Sequence, residues 1–214
     1  MIPAVDIAIL IFDRITALDA VGPYEVLSRL PGARVTFVAA QPGQYRTENG
    51  MLALSADKAK ADLPNPEVFV VPGGFGTRAL VNDQPTLDWI READRTSQFT
   101  TSVCTGSLLL GAAGLLKGRK ATTHWMLLEK LSDFGAEPVS ERIVEQGKLI
   151  MAAGVSAGID MALLLAARIA GDETAQAIQL GIEYDPRPPF NSGSPKTAPP
   201  AIVELVRARS DQFA

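Results

Sequence analysis

Cys104 is the chain's only cysteine, and it stands where the apolar run Phe99–Val103 gives way to the small, helix-forming run Thr105–Ala113. That pattern predicts a strand, a sharp turn and a helix. A side chain on such a turn projects from the end of a sheet toward the amino end of a helix, whose partial positive charge favours a thiolate over a thiol. The chemistry is then nucleophilic, and the plainer alternative is a buried structural thiol. Three other places bear on it. Asp19 precedes a proline-containing helix, where a carboxylate either caps the helix or moves a proton. Gly73 and Gly74 form either a tight turn or a pair of bare amides close enough to serve a substrate oxyanion. His124, the single histidine, ends a short strand as a substrate contact or as a structural residue.

These residues need elements to hold them. Val5–Phe12 is a nearly continuous β-prone apolar run, the signature of a strand buried on both faces of a parallel sheet. The segment Asp19–Leu30 reads as a helix with Pro23 in its first turn, closed by Pro31 and Gly32, and a strand over 33–40 completes a βαβ unit. Asn49-Gly50 between extended segments predicts an antiparallel hairpin. Glu67–Val71 predicts a strand entering the glycine turn, and Pro85–Ala93 an amphipathic helix with Trp89 on its apolar face. A short strand over 120–123, a helix from Trp125, a hairpin at Glu145–Lys148, a long helix from Ser156 and a last helix from about Pro199 to Arg209 follow. The proline-rich segment 185–196 lacks periodicity and is either a lid, a binding loop or an interface, or plain surface. This alternation predicts a doubly wound α/β fold with a mostly parallel sheet. Ligands of such sheets bind outside the carboxyl ends of the strands, where Asp19, Gly73, Gly74, Cys104 and Thr105 would converge.

Composition sets outer bounds. The 214 residues are 47% hydrophobic and 21% charged, which predicts one domain, residues 1–214, around one large core. The net charge is −4 with scattered Lys and Arg, so no nucleic-acid partner is expected. One cysteine and one histidine supply neither a disulfide framework nor a soft zinc-ligand set, and a cytoplasmic location fits. The first residues lack a basic signal region, and the most apolar helix, around Ile159–Ala170, carries Asp160 and Arg168 and is too short to span a bilayer, so no membrane partner is expected. The glycines at 73, 74 and 76 lack the spacing and acidic partner of a dinucleotide fingerprint. No cofactor and no metal are expected.

The motifs Pro72–Gly76, Ser102–Ser107 with Leu108–Leu116, and Ala121–Trp125 resemble the ThiJ/PfpI superfamily, the class I glutamine amidotransferase-like group, over nearly the whole chain. The resemblance implies a flavodoxin-like sandwich with Cys104 on a nucleophile elbow. Within that group Leu18–Pro23, Val103–Gly106, Ala153–Asp160 and Pro188–Pro195 are similar to the isocyanide-hydrating branch. That likeness implies a small isocyanide as substrate, Cys104 as nucleophile, Asp19 as general acid and base, and Thr105 steadying the thiolate or the substrate nitrogen. It implies further that Gly154 lies near the cysteine and leaves room for the intermediate, the alternative being plain helix-to-strand packing, and that the protein is a homodimer; Gly73, Gly74, Phe75 and His124 are the other candidate substrate contacts. A thiolate and a carboxylate in contact repel, so Asp19 should be partly protonated near neutral pH. Of the aromatics, Phe75, Trp125 and Phe190 are candidate pocket walls and Tyr24 is assigned to the core. Departures matter too: the peptidase branch has His where Thr105 stands, the glyoxalase and deglycase branch uses a Glu where Asp19 stands, and AraC-type regulators carry a further helix-turn-helix domain for which a chain ending at Ala214 leaves no room. Glyoxalase- or deglycase-like chemistry on dicarbonyls, a redox sensor oxidised at Cys104, and a non-catalytic ligand-binding module remain open alternatives.

Overall fold

The computed structural model describes residues 5–209. Strand β1 (Val5–Leu10) is apolar apart from Asp6 and almost wholly buried. Helix α1 (Ala17–Leu27) and strand β2 (Ala33–Ala39) follow, and β2 pairs in parallel with β1. A two-stranded antiparallel ribbon of β3 (Gly43–Arg46) and β4 (Ala53–Ala56) stands apart from the main sheet, and the short β5 (Lys58–Ala59) forms that sheet's edge beside β2. Next come β6 (Val68–Val71), α2 (Thr77–Leu80), α3 (Gln84–Thr96), β7 (Phe99–Val103) and α4 (Gly106–Ala112). Strands β8 (Lys120–Ala121) and β9 (Glu137–Pro138) pair with each other, and β10 (Ile143–Gln146) and β11 (Leu149–Ala152) form a hairpin. Three helices close the chain: α5 (Ala157–Ala170), α6 (Asp172–Gly181) and α7 (Pro200–Ala208).

The seven-stranded sheet runs β10-β11-β7-β6-β1-β2-β5, and every pair is parallel except β10 with β11. Helix α5 packs on both α1 and α6, and α2, α3 and α4 pack on one another, so the sheet lies within an α/β sandwich of the flavodoxin-like kind. Ile7, Ile9, Phe69, Ile90 and Leu109 are fully buried between these layers. Each contributes about 1.5–3 kcal/mol of transfer free energy. Helix α3 shows how local signals set an element: Asp83 caps it by accepting from Thr86 N (3.0 Å), Pro85 occupies its first turn, and Trp89 turns inward to meet Phe69 edge-on at 5.6 Å.

Several expectations need correction. Pro23 lies mid-helix rather than in the first turn, because α1 begins at Ala17, after Thr16 N–H has bonded the Gly73 carbonyl (3.0 Å). Proline has no N–H, so the Asp19 carbonyl loses its partner four residues on. Close packing against α5 compensates: a Cβ on Gly22 would stand 3.1 Å from Ile159, and one on Gly158 3.5 Å from Pro23. The ribbon is closed by the six-residue loop 47–52 rather than by a tight Asn-Gly turn, with Asn49 Oδ1 accepting from Thr47 Oγ1 (2.8 Å) and Met51 N (3.0 Å). Trp125–Phe134 is a 3₁₀ run kinked at Leu127 rather than an α-helix. Tyr24 is not core: it is 36% exposed and tilts against Phe37 on the outer side of α1. Segment 185–196 has no regular structure and is almost entirely exposed, Phe190 included, which removes that residue as a pocket wall.

Candidate active site

The turn after β7 is as sharp as the sequence predicts. Cys104 has φ +56°, one of three non-glycine residues in the left-handed region among those described, with Arg14 and Glu183. Such a conformation persists only where its surroundings enforce it. Cys104 N–H donates to the Ala152 carbonyl (3.0 Å), while the Cys104 carbonyl accepts from Ser107 Oγ (3.2 Å) and Thr123 Oγ1 (2.9 Å). Behind the turn, α4 presses so closely on the end of β6 that a Cβ at Gly106 would lie 1.9 Å from the Val71 carbonyl oxygen. Only glycine fits there. The thiol is held at the carboxyl edge of the sheet and is 5% exposed.

Asp19 lies in the first turn of α1 and is fully buried. It does not cap that helix. Its Oδ2 accepts from Gly73 N (2.9 Å), whereas Oδ1 is buried without a hydrogen-bond partner. Gly74 N–H donates to Thr105 Oγ1 (2.9 Å), and Thr77 Oγ1 lies 3.2 Å from the same oxygen. The amides of Gly73 and Gly74 are therefore engaged, not bare. They anchor the carboxyl and the hydroxyl that flank the thiol. A Cβ at Gly73 would lie 2.5 Å from Thr105 N and 2.9 Å from Asp19 Oδ2, so the close approach there also demands glycine.

Burial sets the electrostatics. It pushes the Asp19 carboxyl up to about 8, and the charge of Glu48 adds to this while the Gly73 N–H and Cys104 oppose it. Burial, then the Asp19 charge, pushes the Cys104 thiol well above its ordinary value, and the Thr105 N–H offsets only part of that rise. Desolvation thus outweighs the helix-end effect that favours a thiolate, and the pair binds protons tightly. Asp19 is then largely protonated at neutral pH, by burial rather than by the expected repulsion, since Cys104 lowers its pKa.

Two residues of this cluster went unread in the sequence. Thr77 carried no pattern beyond following a glycine turn. Glu48 sits on the ribbon loop, and the bridge between Ile15 and Thr47 brings it in, so that Thr16 Oγ1 donates to its Oε2 (3.0 Å). Other expected members lie differently. His124 is partly buried, its Nδ1 has no partner, burial lowers its pKa, and among the described residues it makes no hydrogen bond to Cys104 or Asp19. Its neighbour Thr123 is the one that grips the elbow. Gly154 lies between β11 and α5, and a Cβ there would meet open space. Phe75 lines a separate cavity, beneath Arg14 and Arg78. What the arrangement offers chemically is a nucleophilic sulfur beside a carboxyl that can give and take one proton.

Comparisons with known proteins identify the family. The DJ-1/PfpI family matches residues 5–168. An isonitrile hydratase of Pseudomonas putida is 46% identical over 97% of this chain and 90% of its own. The crystal structure of a ThiJ/PfpI family protein from Pseudomonas syringae superposes with a TM-score of 0.91 at 39% identity, covering 97% of this chain and 88% of that one. The HTH-type transcriptional regulator CdhR of Pseudomonas aeruginosa is 32% identical over 74% of this chain, which spans only 48% of the regulator.

Proposed function

The chain belongs to the DJ-1/PfpI family, and on that premise we propose that it is an isocyanide hydratase, adding water to R–N≡C to give an N-substituted formamide. The observation that carries this reading is the buried, proton-holding Asp19, whose unpartnered Oδ1 belongs to the same buried cluster as the Cys104 elbow. A buried polar atom left without a partner calls for an explanation, and delivering a proton is one. The isocyanide carbon is both open to attack and basic once attacked. In the reactive form the Cys104–Asp19 pair holds a single proton. Sulfur bonds to the carbon as the Asp19 proton moves to that carbon, giving the thioimidate R–N=CH–S. The Asp19 carboxylate then takes a proton from water as its oxygen adds to the same carbon. The hydroxyl proton passes to nitrogen, the C–S bond breaks, and formamide leaves with the thiolate and protonated Asp19 restored.

Thr105, the residue after the nucleophile, is held by Gly74 and Thr77 through its hydroxyl, and its N–H is the group that steadies the thiolate. Gly154, with open space beside it, is assigned to the substrate's side of the cleft. Burial and a raised thiol pKa weigh against the redox-sensor reading, because sensor cysteines need thiolate character and access. We read the whole chain as one domain, cytoplasmic and homodimeric. No helix among the described residues is long and apolar enough to cross a membrane, and Leu18, Met51 and Leu52 expose apolar surface that a second copy would cover.

The test is formamide formation from para-nitrophenyl isocyanide followed in the ultraviolet, with methylglyoxal as the rival substrate. Wild type should turn over the isocyanide, and Cys104→Ala should fall by at least about 10³-fold with its circular dichroism spectrum unchanged. Turnover that survives in Cys104→Ala would sink the mechanism, and turnover of methylglyoxal alone would sink the assignment.

A further inference from the structure

A cavity of about 470 Å³ opens at the carboxyl ends of β1, β2 and β6, and neither Cys104 nor Asp19 lines it. Ile11, Phe12, Ala40 and Leu80 give it an apolar lining. Its cations, by contrast, are under-partnered. Lys60 is 8% exposed, yet its ammonium makes one hydrogen bond, to Thr86 Oγ1 (2.8 Å), with the Asp83 carboxylate 4.0 Å away. An ammonium carries three donors, so this buried charge is under-satisfied, and burial lowers its pKa accordingly.

Two more cations stand at the rim. Arg14 and Arg78 lie over the Phe75 ring, 5.0 and 4.6 Å from its centroid, and among the described residues neither guanidinium pairs with a carboxylate. Arg14 is held at φ +63°, with its N–H on the Arg46 carbonyl (2.7 Å) and its own carbonyl accepting from Gly76 N (3.0 Å). A bulky side chain kept in that region marks a position fixed against its own preference. The lining sets two carboxylates against the three cations Lys60, Arg14 and Arg78: Asp13, which accepts from Arg46 N (3.0 Å), and Asp83, which caps α3 and stands 4.0 Å from Lys60. Positive charge is left over, facing apolar walls.

We infer that this cavity binds a small organic monoanion, a carboxylate head on a compact apolar body. The body lies on the apolar walls, and the head takes the spare donors of Lys60 and the forks of Arg14 and Arg78, whose planar geometry suits a carboxylate. The site does not depend on the hydratase reading.

Calorimetric titration of the full chain at low ionic strength with benzoate, benzamide and inorganic phosphate tests it. Benzoate should bind once per chain, with benzamide and phosphate at least about tenfold weaker, since the first lacks the charge and the second the apolar body. Lys60→Met and Arg14→Gly should each weaken benzoate about tenfold, equivalent to about 1.4 kcal/mol. Both keep the fold testable: methionine suits a buried site, and glycine relieves the backbone at position 14. The inference is overturned if benzoate does not bind, if benzamide or phosphate matches it, or if both variants bind benzoate as wild type does.

Discussion

At the scale of single residues, the site gives up stability to hold its proton. The unfolded chain ionises Asp19 near the ordinary value of 3.8, whereas the native state holds that proton to about 8. Native Asp19 therefore binds its proton more tightly, so its contribution to stability is complete below about pH 3.8 and is lost progressively as pH rises through about 8. Asp19→Asn, neutral at every pH, should melt progressively higher than wild type between about pH 4 and pH 8, with the gap constant above that. The same substitution should remove most turnover, since an amide cannot shuttle the proton. In wild type, kcat/KM should rise with pH as the pair loses its first proton, with a midpoint near 8, and a pH–rate profile checks this. Cys104 was legible because a strand, a turn and a helix leave an unmistakable pattern around one residue. The amides of Gly73 and Gly74 were misread because a sequence shows that glycines expose donors but not which side chain takes them. Glu48 was invisible for a related reason: its role comes from a bridge between Ile15 and Thr47, far apart in sequence.

At the scale of elements, two glycines make opposite predictions. Gly106→Ala sets a methyl against the Val71 carbonyl with no flexible side chain to yield, and should cost more than about 3 kcal/mol in a denaturant melt. Gly154→Ala meets open space and should change stability by less than about 0.5 kcal/mol. A loss of kcat in that variant would then report on substrate rather than fold, and wild-type kinetics would remove Gly154 from the cleft. The strands of the parallel core were readable because burial on both faces forces continuous apolar runs. Helix α6 was not, because only Ala175 and Ile178 are buried along it and no side chain caps its start at Gly171. Pro23 misled for a tertiary reason: contact with α5 holds together a helix that local propensity alone would have started later.

At the scale of the molecule, alternating elements and the end-of-strand rule predict that Asp19, Gly73, Gly74 and Thr105 meet, and in the structure they do, whereas the cavity around Lys60 joins residues from several segments whose meeting no local pattern announces. Assembly is where the next measurement lies. Met51 and Leu52 are 86% and 49% exposed on the ribbon loop. Light scattering on a sizing column should find twice the 22.7 kDa chain mass, and Met51→Glu with Leu52→Glu should shift the distribution toward monomer. That loop also carries Glu48, which holds Thr16 Oγ1 and whose charge raises the proton affinity of both Asp19 and Cys104. If two copies meet through this loop, acid–base poise and self-association share its six residues. Dilution that separated the copies would then loosen the loop, withdraw that charge and let the Asp19 proton go more easily, and the acidic limb of the pH–rate profile would move to lower pH. Enzyme concentration would then be a hidden variable of the pH optimum.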